Sequence, residues 1–270
     1  MAPRLSVLPD YPKPLLFAHR GLSSRYPENS LAAFKAARDR GIPGIELDVH
    51  LTADGRLAVF HDDDTGRIPG PGPKGEILRI ESQEWDRLRS LDIGAWKGAH
   101  FKGQAMPALD EVFEELGGTL YFDIEIKSRT VEDRGLERLL ASTLRRHSMA
   151  SRCIVSSFNP FSLRRFKKIE AGIPAALIWT NRPELHWFLR RGEGRLVAAV
   201  DALKPERHLA QPILAGRAPS ASSQARKPVI AWTVDSAEEG ERLLGLGALG
   251  LVSNDPEIHL PAARSMTQRL

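Results

Sequence analysis

Short runs of apolar, β-prone residues recur along the chain and alternate with stretches of helical periodicity. Eight of these runs fit parallel strands, at residues 15–19, 45–49, 120–126, 153–157, 176–179, 196–202, 229–234 and 250–252. Most are separated by segments long enough for a crossover helix. This alternation predicts an α/β fold, and eight strands predict a TIM (β/α)8 barrel.

Amphipathic segments between the strands predict the helices. They cover residues 30–40, 107–116, 136–147, 160–170 and 237–244. Asn29 directly precedes the first of them and is a residue type that favours the N-cap position. We therefore expect Asn29 to begin the first helix.

A further apolar run at residues 57–60 follows the second strand across Asp54-Gly55. Asp-Gly between alternating segments predicts a hairpin, and a two-residue turn centred on it places His61 opposite Asp48. Residues from about 62 to about 103 are too long for a simple connection and begin with a segment rich in proline and glycine. They predict an insertion after the second-strand hairpin, over the mouth of the barrel.

The composition is that of an ordinary globular protein, with 270 residues, 42% hydrophobic and 27% charged. We expect a single domain over residues 1–270, with a frayed tail at about 261–270. Cys153 is the only cysteine, which excludes an intramolecular disulfide and favours a cytoplasmic location. No segment is typical of a secretion signal or a transmembrane span.

The net charge of +4 adds little, because lysine and arginine are scattered among nearly as many acidic residues. We therefore expect no nucleic-acid partner. The oligomeric state cannot be predicted from these features.

Candidate chemistry begins on the second strand, where alternation places Glu46 and Asp48 on one face. Two carboxylates this close repel each other unless a cation neutralises them, and a divalent metal ion commonly does so. The predicted hairpin brings His61 to the same place. A pair of surface acids remains the alternative at this point.

Two other strands contribute polar residues. Asp123, Glu125 and Lys127 share one face of the third barrel strand, and the latter two lie near its C-terminal end, where barrels keep catalytic groups. An interior salt bridge is the structural alternative. His19 and Arg20 end the first strand, and the forked guanidinium of Arg20 suits phosphate oxygens.

A series of short motifs runs through the chain in a fixed order. These are His19-Arg20-Gly21, Pro27-Glu28-Asn29-Ser30, Glu46-Leu47-Asp48-Val49, Thr52-Ala53-Asp54-Gly55, Phe60-His61-Asp62, Met106-Pro107-Ala108-Leu109, Ile124-Glu125-Ile126-Lys127, Ser156-Ser157-Phe158, Trp232-Thr233-Val234 and Asn254-Asp255-Pro256. Together they resemble the glycerophosphodiester phosphodiesterase family, of the cytosolic bacterial type, from about residue 15 to residue 256. Any one motif is weak, but the ordered set is specific.

The resemblance implies a barrel enzyme that hydrolyses small glycerophosphodiesters to sn-glycerol 3-phosphate and an alcohol, with one divalent cation. Three carboxylate ligands favour a hard cation, Mg²⁺ or Ca²⁺ or else Mn²⁺. The implied roles are metal ligation by Glu46, Asp48 and Glu125, acid and base catalysis by His19 and His61, and substrate binding by Arg20, Lys127 and Trp232. We also expect Glu28 and His50 to support these residues, His50 because alternation points it with Glu46 and Asp48. His50 is alternatively an exposed residue.

Two features depart from the family's pattern. Ser253-Asn254-Asp255 stands where the family often has Thr-Asp, and the insertion is rich in proline and glycine. We expect neither to touch the site, although the second gives the mouth its own shape.

Three other functions remain open. The same barrel could hydrolyse lysophospholipids or sphingolipids in the manner of a phospholipase D, or bind a ligand without catalysis. A glycosidase using Glu46 and Glu125 also suits a barrel, but it leaves His19, Arg20 and His61 without roles.

Overall fold

The computed structural model describes residues 7–68, 76–216 and 227–267. Within these ranges the strands are β1 (Leu15–His19), β2 (Gly44–Leu51), β3 (Leu57–Val59), β4 (Tyr121–Ile126), β5 (Cys153–Ser157), β6 (Ala175–Trp179), β7 (Ala202–Pro205), β8 (Ile230–Ala231) and β9 (Gly250–Ser253). The α-helices are α1 (Leu31–Asp39), α2 (Trp85–Arg89), α3 (Leu109–Leu116), α4 (Leu136–Arg146), α5 (Pro160–Ile169), α6 (Arg207–Ala215), α7 (Ala237–Gly245) and α8 (Leu260–Thr267).

All strands except β3 form one parallel barrel. Their order is β7-β6-β5-β4-β2-β1-β9-β8, and β3 pairs antiparallel with β2. Parallel bridges from Leu203 to Val229 and from Glu206 to Trp232 close the barrel between β7 and β8. The predicted TIM barrel with an insertion after the second-strand hairpin is therefore confirmed.

Alternation along the strands separates two apolar layers. On β4, Phe122, Ile124 and Ile126 face outward and belong to the cluster beneath the helices, as expected from their parity. Inside the barrel, apolar side chains such as Ile154 and Ala202 fill the end at which the strands begin, together with Tyr11 from the N-terminal segment. Polar residues consequently concentrate at the other end, where the strands finish.

The hairpin differs from the expected register by one residue. Val49 pairs with Val59, Leu51 pairs with Leu57, and the backbone N–H of Thr52 donates to Arg56 O at 3.0 Å, so the connection is a three-residue loop, 53–55, rather than a two-residue turn. Gly55 adopts a φ of 80° in that loop, a left-handed conformation typical of the last position of three-residue hairpin loops. His61 is therefore not the residue opposite Asp48, although it still follows β3 at the same end of the barrel.

Some element boundaries were also predicted wrongly. The strand expected at residues 196–202 is β7, which begins only at Ala202, because the preceding apolar run lies partly in a 3-10 turn, Glu193–Leu196. Helix α6 was not predicted, because it contains Pro212 and proline disfavours a helix interior. Helix α8 covers part of the segment for which the sequence predicts a frayed tail, and residues 268–270 lie outside the described residues.

The insertion has a small apolar core of its own. It contains α2 and two 3-10 turns, and its buried side chains pack against Phe60 and Met106 of the flanking segments: Ile68, Leu78, Ile80, Leu88, Leu91 and Ile93. The glycine- and proline-rich residues 69–75 lie outside the described part of the chain. Among the described residues, no helix has both the length and the apolar character needed to cross a bilayer.

Candidate active site

Three carboxylates meet at the C-terminal end of the barrel. Glu46 and Asp48 lie on β2, and Glu125 lies on β4, directly beside Asp48 in the parallel register. One oxygen from each lies within 4.8 Å of the others, and all three side chains are buried. Two ligands of one cation, each at about 2.0–2.6 Å from it, are at most about 5 Å apart, so the three oxygens are close enough to share a single ion.

Cationic side chains hold the charge of Asp48. The Lys127 ammonium lies 2.9 Å from Asp48 Oδ1 and 2.6 Å from Glu125 Oε1, so the interior salt bridge considered from the sequence is present. Arg20 Nε lies 3.6 Å from Asp48 Oδ2. Burial alone raises the pKa of Asp48, but Lys127, His61 and Arg20 outweigh it and hold the pKa well below its usual range.

Glu46 is in the opposite electrostatic position. Burial, followed by the negative charge of Asp48, raises the pKa of Glu46 well above its usual range. The backbone N–H of Arg20, whose φ is 57°, donates to Glu46 Oε2 at 3.1 Å. A bound divalent cation would favour the ionised form of Glu46, which is one reason why the donor set suits a metal ion.

A buried lysine on β7 escaped the sequence prediction. Lys204 Nζ lies 2.8 Å from Asp123 Oδ2 and 3.9 Å from Glu46 Oε1, and it donates to Ser156 Oγ at 3.3 Å. Its side chain is nearly inaccessible to solvent. The only signal was alternation along β7, and the misplaced boundary of that strand concealed it.

His19 is oriented by Asn254. Nδ1 of His19 lies 2.7 Å from Asn254 Oδ1, while Asn254 Nδ2 donates to Asp235 Oδ2 at 2.7 Å. The amide orientation that Asp235 favours makes Oδ1 the acceptor, so the proton of His19 is assigned to Nδ1 and Nε2 is left toward Glu46, 4.0 Å away. Burial, with the charge of Arg20, lowers the pKa of His19 to about 3.

The Ser253-Asn254-Asp255 departure therefore does touch the site, contrary to expectation. Ser23 Oγ also donates to Asn254 Oδ1, at 2.9 Å. The contact could not be predicted because it joins residues more than 200 positions apart, through the neighbouring strands β1 and β9.

His61 and His50 lie in different surroundings. His61 is half-buried, and its Nδ1 lies 2.7 Å from Asp62 Oδ1. His50 is buried on β2, so the alternative that it is exposed is wrong. Burial, with the nearby charge of Lys127, lowers the pKa of His50 to about 4.

The segment before α1 holds Asp48 from behind. Asn29 Nδ2 donates to Asp48 Oδ2 at 2.8 Å, so Asn29 is not the N-cap that the sequence predicts. Ser30 is the N-cap, and its Oγ accepts from the backbone N–H of Ala33 at 3.1 Å. Asn29 therefore orients Asp48, whereas its neighbour Ser30 caps α1.

Glu28 and Trp232 also lie at this end of the barrel. Arg20 Nη1 donates to Glu28 Oε1 at 3.0 Å, so the guanidinium contacts Glu28 as well as Asp48. Trp232 is half-buried, donates from Nε1 to the backbone carbonyl of Lys204 at 2.8 Å, and packs edge-on against Phe158. The roles of Glu28 and Trp232 stay predictions.

Comparison with known proteins gives one consistent family. The glycerophosphoryl diester phosphodiesterase family matches residues 19–258. The glycerophosphodiester phosphodiesterase of Caldanaerobacter subterraneus subsp. tengcongensis is 34% identical over 249 residues, covering 91% of this chain and 96% of that protein.

Solved structures agree on the fold. An Oleispira antarctica phosphodiesterase in complex with the product sn-glycerol-3-phosphate superposes with a TM-score of 0.74 at 24% identity, over 93% of this chain and 97% of that one. A glycerophosphodiester phosphodiesterase of Agrobacterium tumefaciens gives 0.70 at 22% identity, over 90% and 97%. The extent of the family match and the identity to the Caldanaerobacter enzyme confirm the resemblance, and this chain belongs to the glycerophosphoryl diester phosphodiesterase family.

Proposed function

We propose that this protein hydrolyses glycerophosphodiesters to sn-glycerol 3-phosphate and an alcohol, with one divalent cation. Family membership makes the reaction class phosphodiester hydrolysis. The observation that carries the metal proposal is the cluster of three buried carboxylates, Glu46, Asp48 and Glu125, within 4.8 Å of one another. The small-molecule substrate is supported by the product-bound relative from Oleispira antarctica.

The net charge of the candidate site favours the binding of a divalent cation. In their ionised forms, four buried carboxylates and three cationic side chains of the described barrel face one another: Glu46, Asp48, Asp123, Glu125, Arg20, Lys127 and Lys204. They leave one excess negative charge. A divalent cation would turn it into one excess positive charge, which the single negative charge of a phosphodiester neutralises.

The carboxylate ligands favour Mg²⁺ or Ca²⁺, and Mn²⁺ would also be accepted. When bound, the ion would polarise a phosphoryl oxygen and offset the charge that develops in the transition state. Arg20 and Lys127, which contact the same carboxylates, would bind the remaining phosphate oxygens. Trp232 would supply an apolar wall for the substrate.

The two histidines would handle the protons. His19 is neutral at physiological pH, and its assigned tautomer leaves Nε2 free to accept a proton from the attacking water. His61, whose Nδ1 contacts Asp62, would use its other nitrogen to protonate the leaving alcohol. Glu28 would hold Arg20 for the phosphate.

The test is release of sn-glycerol 3-phosphate from glycerophosphocholine and glycerophosphoethanolamine, with and without EDTA. We expect release that EDTA abolishes and Mg²⁺, Ca²⁺ or Mn²⁺ restores. His61→Asn should lower kcat at least about 100-fold, as loss of a general acid does. His147→Asn is the matched control, because His147 pairs with Asp110 on the outside of the barrel. Absence of metal-dependent release from both substrates contradicts the proposal.

One observation favours a lipid substrate as the second candidate. The connection between β6 and β7 exposes Trp187 and Leu196, whose side chains are 78% and 82% accessible. Lysophosphatidylcholine belongs in the same assay, and preferential release of its choline would favour this second candidate. A cytoplasmic location stays a prediction, supported by the single cysteine.

A further inference from the structure

Arg67 reaches from the insertion to two acids beside the candidate active site. Its Nη2 donates to Glu28 Oε1 at 2.7 Å, and its Nε donates to Asp62 Oδ2. The side chain is 56% accessible, so the guanidinium lies at the surface of the site rather than inside the barrel. No sequence feature singled this residue out.

Each of these acids holds a residue that the proposed reaction uses. Glu28 Oε1 also accepts from Arg20 Nη1 at 3.0 Å, and Asp62 Oδ1 lies 2.7 Å from His61 Nδ1. The contacts therefore form one chain, from His61 through Asp62, Arg67 and Glu28 to Arg20. The proposed proton donor and the proposed phosphate ligand share a single connection.

From Asp62 to Arg20, the charges along this chain alternate in sign. Burial raises the pKa of Asp62, but its hydrogen bonds with His61 and Arg67 outweigh that effect and hold the pKa below its usual range. The Asp62 hydrogen bond raises the pKa of Arg67, although its partial burial opposes this. Both partners consequently keep their charges across the neutral range, so the connection persists at the pH of an assay.

We propose that Arg67 is a positioning residue, which fixes Asp62 and Glu28 and thereby aims His61 and Arg20 at the phosphate. The inference rests on the proposed function. Two nitrogens of one planar guanidinium face two different carboxylates, and this fork sets the separation of the acids. A lysine at this position has one charged atom and cannot reproduce that geometry.

The insertion has other attachments to the barrel. Ile68 belongs to the apolar cluster that includes Phe60 and Met106, and the backbone N–H of Ala53, in the hairpin that follows β2, donates to Gln83 O at 2.9 Å. Loss of Arg67 should therefore leave the fold in place. An effect on turnover without an effect on thermal stability distinguishes positioning from anchoring.

The experiment compares Arg67→Met and Arg67→Lys with Arg87→Met. Arg87 is the matched control because it lies in the same insertion, is similarly exposed and pairs with Glu76 instead of a site residue. Substrates are glycerophosphocholine and the generic diester bis(p-nitrophenyl) phosphate, and melting temperatures verify folding. We expect Arg67→Met and Arg67→Lys to lose about 10- to 100-fold in kcat/KM, the range seen when a supporting partner of a site is removed.

Added methylguanidinium should restore part of the Arg67→Met activity, because the vacated position is open to solvent, and should not change Arg87→Met. Activity of Arg67→Met within about two-fold of wild type overturns the inference, as does a loss that Arg67→Lys fully recovers. Wild-type cleavage of the generic diester without cleavage of glycerophosphocholine overturns only the substrate of the proposed function, and the Arg67 comparison is then made on the generic diester.

A readout that needs no turnover completes the test. In protein labelled with ¹⁵N-histidine, the imidazole resonances of His61, assigned with His61→Asn, should shift in Arg67→Met and stay in place in Arg87→Met. Unchanged resonances in both variants overturn the inference even if the wild-type protein cleaves neither substrate.

Discussion

Lys204 carries a buried positive charge whose partners are Asp123 and, at longer range, Glu46. Lys204→Met would leave these carboxylates without their cation in a site closed to solvent. Removal of one partner of a buried ion pair costs about 3–5 kcal/mol of unfolding free energy. We expect a loss of this size in urea unfolding in EDTA, and a smaller loss with saturating divalent cation, because the ion replaces part of the missing charge.

Lys167→Met is the control for that measurement. Lys167 also pairs with an acid, Asp201, but outside the carboxylate cluster. The decrease in unfolding free energy caused by Lys167→Met should be the same with and without the cation. Equal losses of Lys204→Met under the two conditions would show that Lys204 and the metal site are not coupled.

His50 makes stability depend on pH. Its pKa is about 4 in the folded protein, below the value of about 6.5 in an unfolded chain. Between these values the unfolded chain binds more protons, so unfolding free energy falls as pH falls. This group contributes a slope of about 1.4 kcal/mol per pH unit near pH 5. We expect urea titrations in EDTA to give a shallower dependence of unfolding free energy on pH for His50→Asn than for the wild-type protein. Equal slopes would contradict the lowered pKa of His50.

At the level of elements, two neighbouring residues before α1 have different roles. Ser30 caps the helix, and Asn29 donates to Asp48 in the candidate site. Ser30→Ala removes the N-cap acceptor and should cost about 1 kcal/mol of unfolding free energy without changing metal affinity. Asn29→Gly keeps the left-handed φ of 54° accessible but removes the donor to Asp48. It should weaken metal binding in calorimetry more than it lowers stability. The reverse pattern would restore Asn29 as the cap.

Elements with strong local signals were predictable. β5 was expected at its observed bounds, and the outward-facing residues of β4 followed from alternation alone. The hairpin register failed because Asp54-Gly55 suits loops of two or three residues, and only pairing of the whole strand decides between them. The predicted start of β7 was wrong because a buried apolar run fits a strand and an irregular connection equally well.

For the whole molecule, strand parity placed Glu46 and Asp48 together, and the barrel brought Glu125 beside them. The contacts of Lys204 and Asn254 could not be predicted, since they exist only after β7 and β9 take their places around the closed barrel. Local pattern therefore identified the groups that suit the chemistry, whereas the groups that orient them depended on closure.

The same closure connects metal binding to global stability. The three carboxylates lie on two adjacent strands of the barrel, so an unfolded chain does not bring them together. A ligand bound only by the folded state stabilises it by about 2.7 kcal/mol at 100 times its Kd. At about 2–4 °C per kcal/mol, Mg²⁺, Ca²⁺ or Mn²⁺ at that level should raise Tm by roughly 5–10 °C relative to EDTA.

Glu125→Gln should remove most of this shift, because it replaces a charged ligand of the cluster with a neutral one. Asp133→Asn, which changes an exposed acid paired with Arg138, should retain the shift in full. Differential scanning calorimetry of the three proteins with each ion measures it directly. If Tm of the wild-type protein is the same in EDTA and in all three ions, the carboxylate cluster is held by Lys127, Lys204 and Arg20 alone, and it does not bind a divalent cation.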